Sequence, residues 1–226
     1  VVAHPDDIDF GVAGTAARLV DSGTKVTYCL VTSGDAGAPE EIPRHEVAAL
    51  REGEQTDAAA AVGVTDVRFL RLPDGRLEAN LDLRREITRV IRDVKPNLVI
   101  TQNPVRNWDR IYASHPDHLA VGEATMAAVY PDARNPHAHP ELLAEGFLPH
   151  IVSQVWVSSL EPQDVFIDIT EVFDRKVAAL GSHTSQLALG RFDINELLRD
   201  WAASTTERLG LPDGRLTEAF RRINTE

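Results

Sequence analysis

The sequence predicts an α/β fold, a Rossmann-like, doubly wound and mostly parallel sheet flanked by helices. Three observations predict it. Short apolar runs alternate with longer amphipathic stretches, those stretches have the length of helical crossovers, and Gly or Pro closes several of them. In chain order, Val1–Ala3 reads as a strand; the chain opens without Met, so this strand is expected to begin upstream. Phe10–Ser22 is a helix closed by Gly23, Val26–Thr32 a strand, and Arg44–Val62 a helix closed by Gly63. Val67–Leu70 is a strand, and the helix Leu83–Val94 runs up to Lys95-Pro96, where the proline forces an exit. Strands follow at Leu98–Gln102, Ile151–Val157 and Val165–Asp168, with helices at Asp117–Tyr130 and Ile169–Gln186. Residues 190–226 read as a helical tail, Ile194–Leu209 followed by Leu216–Ile223. Between helix and strand, Pro131–His150 is a long surface excursion rich in Pro and His. With no repeat or linker in view, residues 1–226 are expected to form one domain, with ligands beyond the carboxyl ends of the strands.

Composition narrows the function. The chain has 226 residues, 43% hydrophobic and 26% charged, enough for one ordinary core. Its net charge of −12 argues against a nucleic-acid partner, because neutralising phosphates needs a basic face. A small substrate is expected. The single cysteine, Cys29, excludes a cysteine-cluster metal site and leans towards a reducing, cytoplasmic setting. No apolar run approaches the roughly 20 residues needed to span a bilayer, so no membrane role is expected; association into a homo-oligomer stays open.

The chemistry lies in two clusters. Ala3-His4-Pro5-Asp6-Asp7-Ile8-Asp9 sets an imidazole and three carboxylates where the first strand opens towards the ligand crevice. Carboxylates there would repel a pyrophosphate, and Gly11 and Gly14 do not make a dinucleotide motif. A cation is what the cluster invites. Past the fourth strand, Ser114-His115-Pro116-Asp117-His118 places two imidazoles across the first turn of a helix, with Pro116 suited to its first position. Two imidazoles and a carboxylate suit a catalytic zinc site, in which three protein ligands leave a fourth position for water. His4, Asp7 and His118 would supply that set, Asp6 would take a proton from the water, and His115 with Asp117 would form an electrostatic pair. The same donors accept Fe²⁺, Mn²⁺ or Co²⁺.

These motifs, AHPDD at residues 3–7 and HPDH at 115–118, resemble the PIG-L/LmbE-like family of zinc-dependent N-deacetylases. The likeness continues in Val31-Thr32-Ser33-Gly34-Asp35, in Arg51 with Glu54, in Phe166-Ile167-Asp168-Ile169-Thr170, and in Lys176 and His183-Thr184-Ser185-Gln186. It implies a hydrolase that removes an N-acetyl group from an N-acetylglucosaminyl-type small molecule. It also implies His4, Asp7 and His118 as zinc ligands, Asp6 as general base, and His115, tuned by Asp117, as stabiliser of the oxyanion. By the same resemblance Arg51 contacts substrate; the alternative is an exposed helix arginine paired with Glu54 or Gln55. His183 is either a substrate contact or part of a capped or frayed helix end. Asp9 either joins the cluster or caps or charges the first turn of the following helix, and many relatives carry their acid one position earlier, where this chain has Ile8. Trp108, Tyr112 and Tyr130 flank the second cluster; an aromatic there can stack on a sugar face, with core packing or a helix lid expected for at least two of them. Two other classes share the donor set: a non-haem Fe(II) oxygenase, and a sugar-binding module that has lost catalysis.

Overall fold

The computed structural model describes residues 1–37, 42–188 and 193–225. In chain order it contains α1 (Asp7–Gly11), α2 (Ala13–Asp21), β1 (Thr27–Thr32), α3 (Arg44–Ala61), β2 (Asp66–Leu72), α4 (Leu81–Val94), β3 (Leu98–Thr101), α5 (Pro116–Ala127), α6 (Pro140–Ala144), β4 (Gln154–Ser158), β5 (Val165–Asp168), α7 (Phe173–Gly181), α8 (Thr184–Leu187), α9 (Ile194–Arg208) and β6 (Thr217–Asn224). The predicted α/β alternation is present, with parallel strands and helical crossovers. The chain gathers into two units, one built from residues 1–3, 75–165 and 220–226, the other from residues 4–74 and 166–219.

In the first unit β3 runs parallel to β4, Leu98 opposite Gln154 through Thr101 opposite Val157. The predicted strand at Val1–Ala3 is reduced to a single bridge at Val2, held beside β3 by a bond from Thr101 Oγ1 to Val1 O at 3.0 Å and one from Ala3 N–H to Gln102 Oε1 at 2.9 Å. β4 pairs antiparallel with β6, Val155 opposite Ile223 and Ser158 opposite Phe220. Leu216–Ile223 is therefore a strand and not the predicted helix. Its apolar residues Leu216, Phe220 and Ile223 have helical spacing, but hydrogen bonding to β4 outweighs that local preference, as sheet context commonly does. Among the described residues the tail is helical only in α9.

Helix α4 starts at Asn80, whose side chain accepts from Leu83 N–H at 3.0 Å, and ends at Lys95 in the left-handed region just before Pro96. Its apolar face buries Leu83, Ile87, Val90 and Ile91. Arg92 points inward as well, 1% exposed, and its guanidinium donates to the carbonyls of Asp132, Ala133, Asn135, Ala138 and Phe147. The Pro131–His150 excursion is thus wrapped around one buried cation. Arg84 adds a two-pronged bond to Asp132, at 2.9 and 2.7 Å.

In the second unit β1 and β2 are parallel from Thr27 opposite Asp66 to Leu30 opposite Phe69, after which the register shifts. Helix α7 packs against α2, α3 and α9. The helix predicted at Ile169–Gln186 is divided into a short turn at Thr170–Val172, α7 and α8. Lys176 of α7 reaches Glu218 Oε1 at 2.6 Å and Phe10 O at 2.7 Å, and Glu218 also accepts from the N–H groups of Gly14 and Thr15. A buried ion pair thereby closes the amino end of α2. Part of the loop Ala36–Pro43 lies outside the described residues.

Replacing Arg92 by Met removes a charged donor from five carbonyls at once. Urea unfolding should show a loss of about 3 kcal/mol or more, against well under that for Lys95→Met at the exposed helix end; equal effects would mean that Arg92 does not organise the excursion.

Candidate active site

The residues singled out by sequence fall into two groups, one in each unit. In the second unit the chain turns sharply at His4-Pro5-Asp6-Asp7. His4 N–H donates to Asp7 Oδ2 at 2.7 Å, the His4 ring Nδ1 lies 3.3 Å from the same oxygen, and Nε2 lies 3.0 Å from Asp74 Oδ1. Asp6 has φ 85°, a left-handed conformation that Asp tolerates better than most side chains. Adjacent aspartates consequently serve different partners. Asp7 faces His4, while Asp6 Oδ2 sits 2.9 Å from Arg51 Nη2.

Arg51 is 4% exposed, so it is neither an exposed helix arginine nor the partner of Glu54 or Gln55. Its guanidinium donates to Asp6, to Pro5 O at 2.8 Å and to Gly34 O at 2.9 Å. Gly34 has φ 66°, and a Cβ there would lie 2.4 Å from Arg51 Nη1, so both the backbone angle and the close approach require glycine. One turn further along α3, Gln55 accepts from Asp6 N–H at 2.9 Å and donates to Asp9 Oδ2 at 2.9 Å. Asp9 does not act as a helix cap. It is fully buried and also meets His183 Nε2 at 2.8 Å.

The stripe His183-Thr184-Ser185-Gln186 is not a frayed end: His183 is buried, Ser185 and Gln186 are half-buried, and Thr184 is exposed, yet each is held by a protein partner. His183 is 0% exposed; Glu54, 6% exposed, accepts from Thr184 Oγ1, Ser185 N–H and Ser185 Oγ at 2.7–2.9 Å; Gln186 Nε2 donates to Gly37 O at 2.7 Å. Arg51 and His183, expected to contact substrate, are thus both occupied with protein partners.

Electrostatics separates the acids. Burial and the Asp7 carboxylate push the Asp6 carboxyl up to about 7, against the pull of Arg51, His183 and His4. Asp74 is also partly desolvated, yet the His4 hydrogen bond, the Ala36 N–H and the charges of His4 and Arg51 bring it down to about 2. Asp74 was missed by the sequence reading. Its signal was Leu72-Pro73-Asp74-Gly75, an acid in a turn at the carboxyl end of a strand, where ligands gather in open α/β sheets.

In the first unit His115 caps α5, its Nδ1 accepting from Asp117 N–H at 3.2 Å, with Pro116 at the first helical position. The buried Asp117 carboxylate accepts from Gly75 N–H at 2.8 Å and Leu77 N–H at 3.2 Å. The His115 and His118 rings stand 5.2 Å apart at 45°. Below them Ser114 Oγ accepts from Asn107 N–H at 2.8 Å. Trp108, Tyr112 and Tyr130 are 81%, 73% and 63% exposed, so none of them packs in the core. In the excursion, His139 lies 3.2 Å from Asp132 Oδ2 and His150 Nε2 lies 2.8 Å from Pro96 O, while His137 is exposed.

The donors fit a divalent transition metal. An imidazole with two carboxylates converging on it is present in one unit and a neighbouring pair of imidazoles in the other, without a thiolate. This nitrogen and oxygen chemistry suits zinc and equally Fe²⁺, Mn²⁺ or Co²⁺.

Comparison with known proteins agrees with these motifs. The family model described as PIG-L, GlcNAc-PI de-N-acetylase, matches residues 1–129. The diacetylchitobiose deacetylase of Thermococcus kodakarensis is 34% identical over 184 residues, covering 81% of this chain and 67% of that protein. A probable N-acetyl-α-D-glucosaminyl L-malate deacetylase 2 of Bacillus cereus is 32% identical over 219 residues, covering 93% of each. Among solved structures, N,N'-diacetylchitobiose deacetylase from Pyrococcus horikoshii superposes with a TM-score of 0.86 at 29% identity, covering 98% of this chain and 81% of that one.

Glu54→Ala should lower stability by about 2 kcal/mol, since it removes a carboxylate that accepts from a main-chain amide and two hydroxyls. Amide exchange at Ser185 should accelerate; an unchanged rate would show that Glu54 does not hold α8.

Proposed function

This chain belongs to the PIG-L family of deacetylases, and on that premise we propose that it hydrolyses the acetamide of a small N-acetylglucosaminyl-type sugar conjugate, releasing acetate and a free amine. N-deacetylation is the hydrolase activity its relatives are named for, and it sets this chain apart from an oxygenase or a sugar-binding module. Diacetylchitobiose and N-acetylglucosaminyl malate, after which two relatives are named, are suitable first substrates. Among the described residues no helix is long and apolar enough to cross a membrane.

His4, Asp7 and His118 are the proposed metal ligands, with zinc the first choice of ion; the two sequence motifs support this set. A divalent ion held by these residues would supply Lewis-acid chemistry, polarising the acetyl carbonyl and lowering the pKa of water towards neutrality. The observation that carries the assignment of roles is the left-handed turn at Asp6, which sends Asp7 to His4 and Asp6 to Arg51. Asp7 is therefore the ligand and Asp6 the base. Raised to about 7, the Asp6 carboxyl is a stronger base than an ordinary aspartate, suited to taking a proton from attacking water and returning it to the leaving nitrogen. Arg51 serves the reaction by fixing one Asp6 oxygen, and His183 serves it through Asp9. His115 accepts from a main-chain N–H through Nδ1, so the proton of its neutral ring sits on Nε2. That N–H donates to the developing oxyanion without needing the ring to be charged. Asp117, bound by two main-chain N–H groups, fixes the turn that aims it.

The decisive experiment measures acetate released from diacetylchitobiose and related N-acetylglucosaminides, with metal content determined on the same sample. Stoichiometric acetate, lost on chelation and regained with Zn²⁺, is expected. Asp6→Ala should keep the metal while reducing turnover at least a hundredfold. Loss of metal in that variant, with Asp7→Ala retaining it, would reverse the two roles.

A further inference from the structure

We propose that Gln55 is a positioning residue for the reaction, holding Asp6 in its left-handed conformation through the Asp6 main-chain N–H. The claim rests on the reading of Asp6 as base and goes beyond it, because Gln55 lies on a helix in the middle of the unit and belongs to neither metal motif.

The geometry points to a designed orientation. Gln55 is 0% exposed, and its amide is used at both ends: Oε1 accepts from Asp6 N–H at 2.9 Å, and Nε2 donates to Asp9 Oδ2 at 2.9 Å. Asp9 is anchored in turn by His183 Nε2 at 2.8 Å, so the amide cannot rotate by a half-turn without setting its NH₂ against the Asp6 N–H and its oxygen against a carboxylate. Asp9, Gln55 and His183 have no exposure at all. This buried chain ends on a backbone amide of a residue whose φ of 85° is costly for a side chain other than glycine. Arg51, four residues earlier on the same face of α3, holds the Asp6 carboxylate. Helix α3 therefore grips Asp6 twice, by its side chain and by its main chain. With the main-chain grip gone, relief of the left-handed angle would swing the carboxylate away from its line of attack, and a displacement of about 1 Å can cost about a hundredfold in rate.

Two variants test this. Gln55→Met removes both bonds at similar volume. The double variant Gln55→Glu with Asp9→Asn restores both with the amide and the carboxylate exchanged between the two positions: the carboxylate introduced on α3 accepts from Asp6 N–H and from the side-chain amide introduced on α1, and the second hydrogen of that amide meets His183 Nε2, which accepts it once the neutral ring carries its proton on Nδ1. Diacetylchitobiose is the substrate, kcat is normalised to bound Zn²⁺, and exchange of the Asp6 amide is followed by NMR. Gln55→Met should lower kcat about a hundredfold with KM within about twofold, keep its metal, and lose protection at the Asp6 amide. The double variant should recover kcat to within about tenfold of the parent and recover the protection. Wild-type kcat in Gln55→Met, a loss carried by KM alone, or a double variant no better than the single one would overturn the proposal. Should Gln55→Met not fold, Gln55→Asn takes its place, its amide falling one methylene short of Asp6. If the parent protein releases no acetate, the deacetylase reading fails; amide exchange, which needs no turnover, still decides the claim about Gln55.

Discussion

A guanidinium sealed inside a protein must find an acceptor for nearly every donor it carries, since an unmatched charge in the interior costs several kcal/mol. Arg51 meets most of that demand through Nη1 and Nη2, which bind the carbonyls of Pro5 and Gly34 and the carboxylate of Asp6 in two separate segments of the second unit, while its buried Nε has no partner among the described residues. The turn after His4, the loop after β1 and helix α3 are tied to one planar group. The adjacent aspartates can point in different directions because this fork takes hold of one of them.

The chemistry follows from that separation. Two carboxylates on consecutive residues would ordinarily compete for the same cation and titrate alike. Here the first is desolvated and drawn towards Arg51, while the second stays against the imidazole of His4. A difference in environment makes two like residues unlike, which is the condition for the separate roles of base and ligand proposed for them. The HPDH turn works on a similar principle in the first unit. Its aspartate is consumed by main-chain N–H groups, its first histidine by the start of a helix, and the imidazole proton is thereby assigned to a definite nitrogen.

The parts legible in the sequence were those with a local signal. Alternation of apolar runs with amphipathic stretches located β1 to β5 and most helices, because each element's own residues carry its period. AHPDD and HPDH were legible because so many ligand-type residues rarely crowd into so few positions. The rest depended on partners distant in the chain. Leu216–Ile223 has helical spacing and became a strand because β4 offered an edge. Trp108 and Tyr112 are aromatic and yet exposed. His183, Glu54 and Gln55 were visible as polar interruptions of apolar helices, but their pairing with Asp9, Ser185 and Asp6 spans up to 174 residues, and nothing local announces it. Asp74 was hidden for the same reason, its bond to His4 linking a turn after β2 to the start of the unit.

The absence of a side chain at position 34 has a consequence for how this sequence can diverge. The room that glycine leaves is filled by the Arg51 fork, so a bulkier residue evicts the arginine, and a shorter residue at 51 opens a void that glycine cannot fill. Neither site can drift alone. Descendants of this chain are constrained to keep the two together or to replace both in concert, a form of epistasis in which the smallest residue of the pair dictates the fate of the largest.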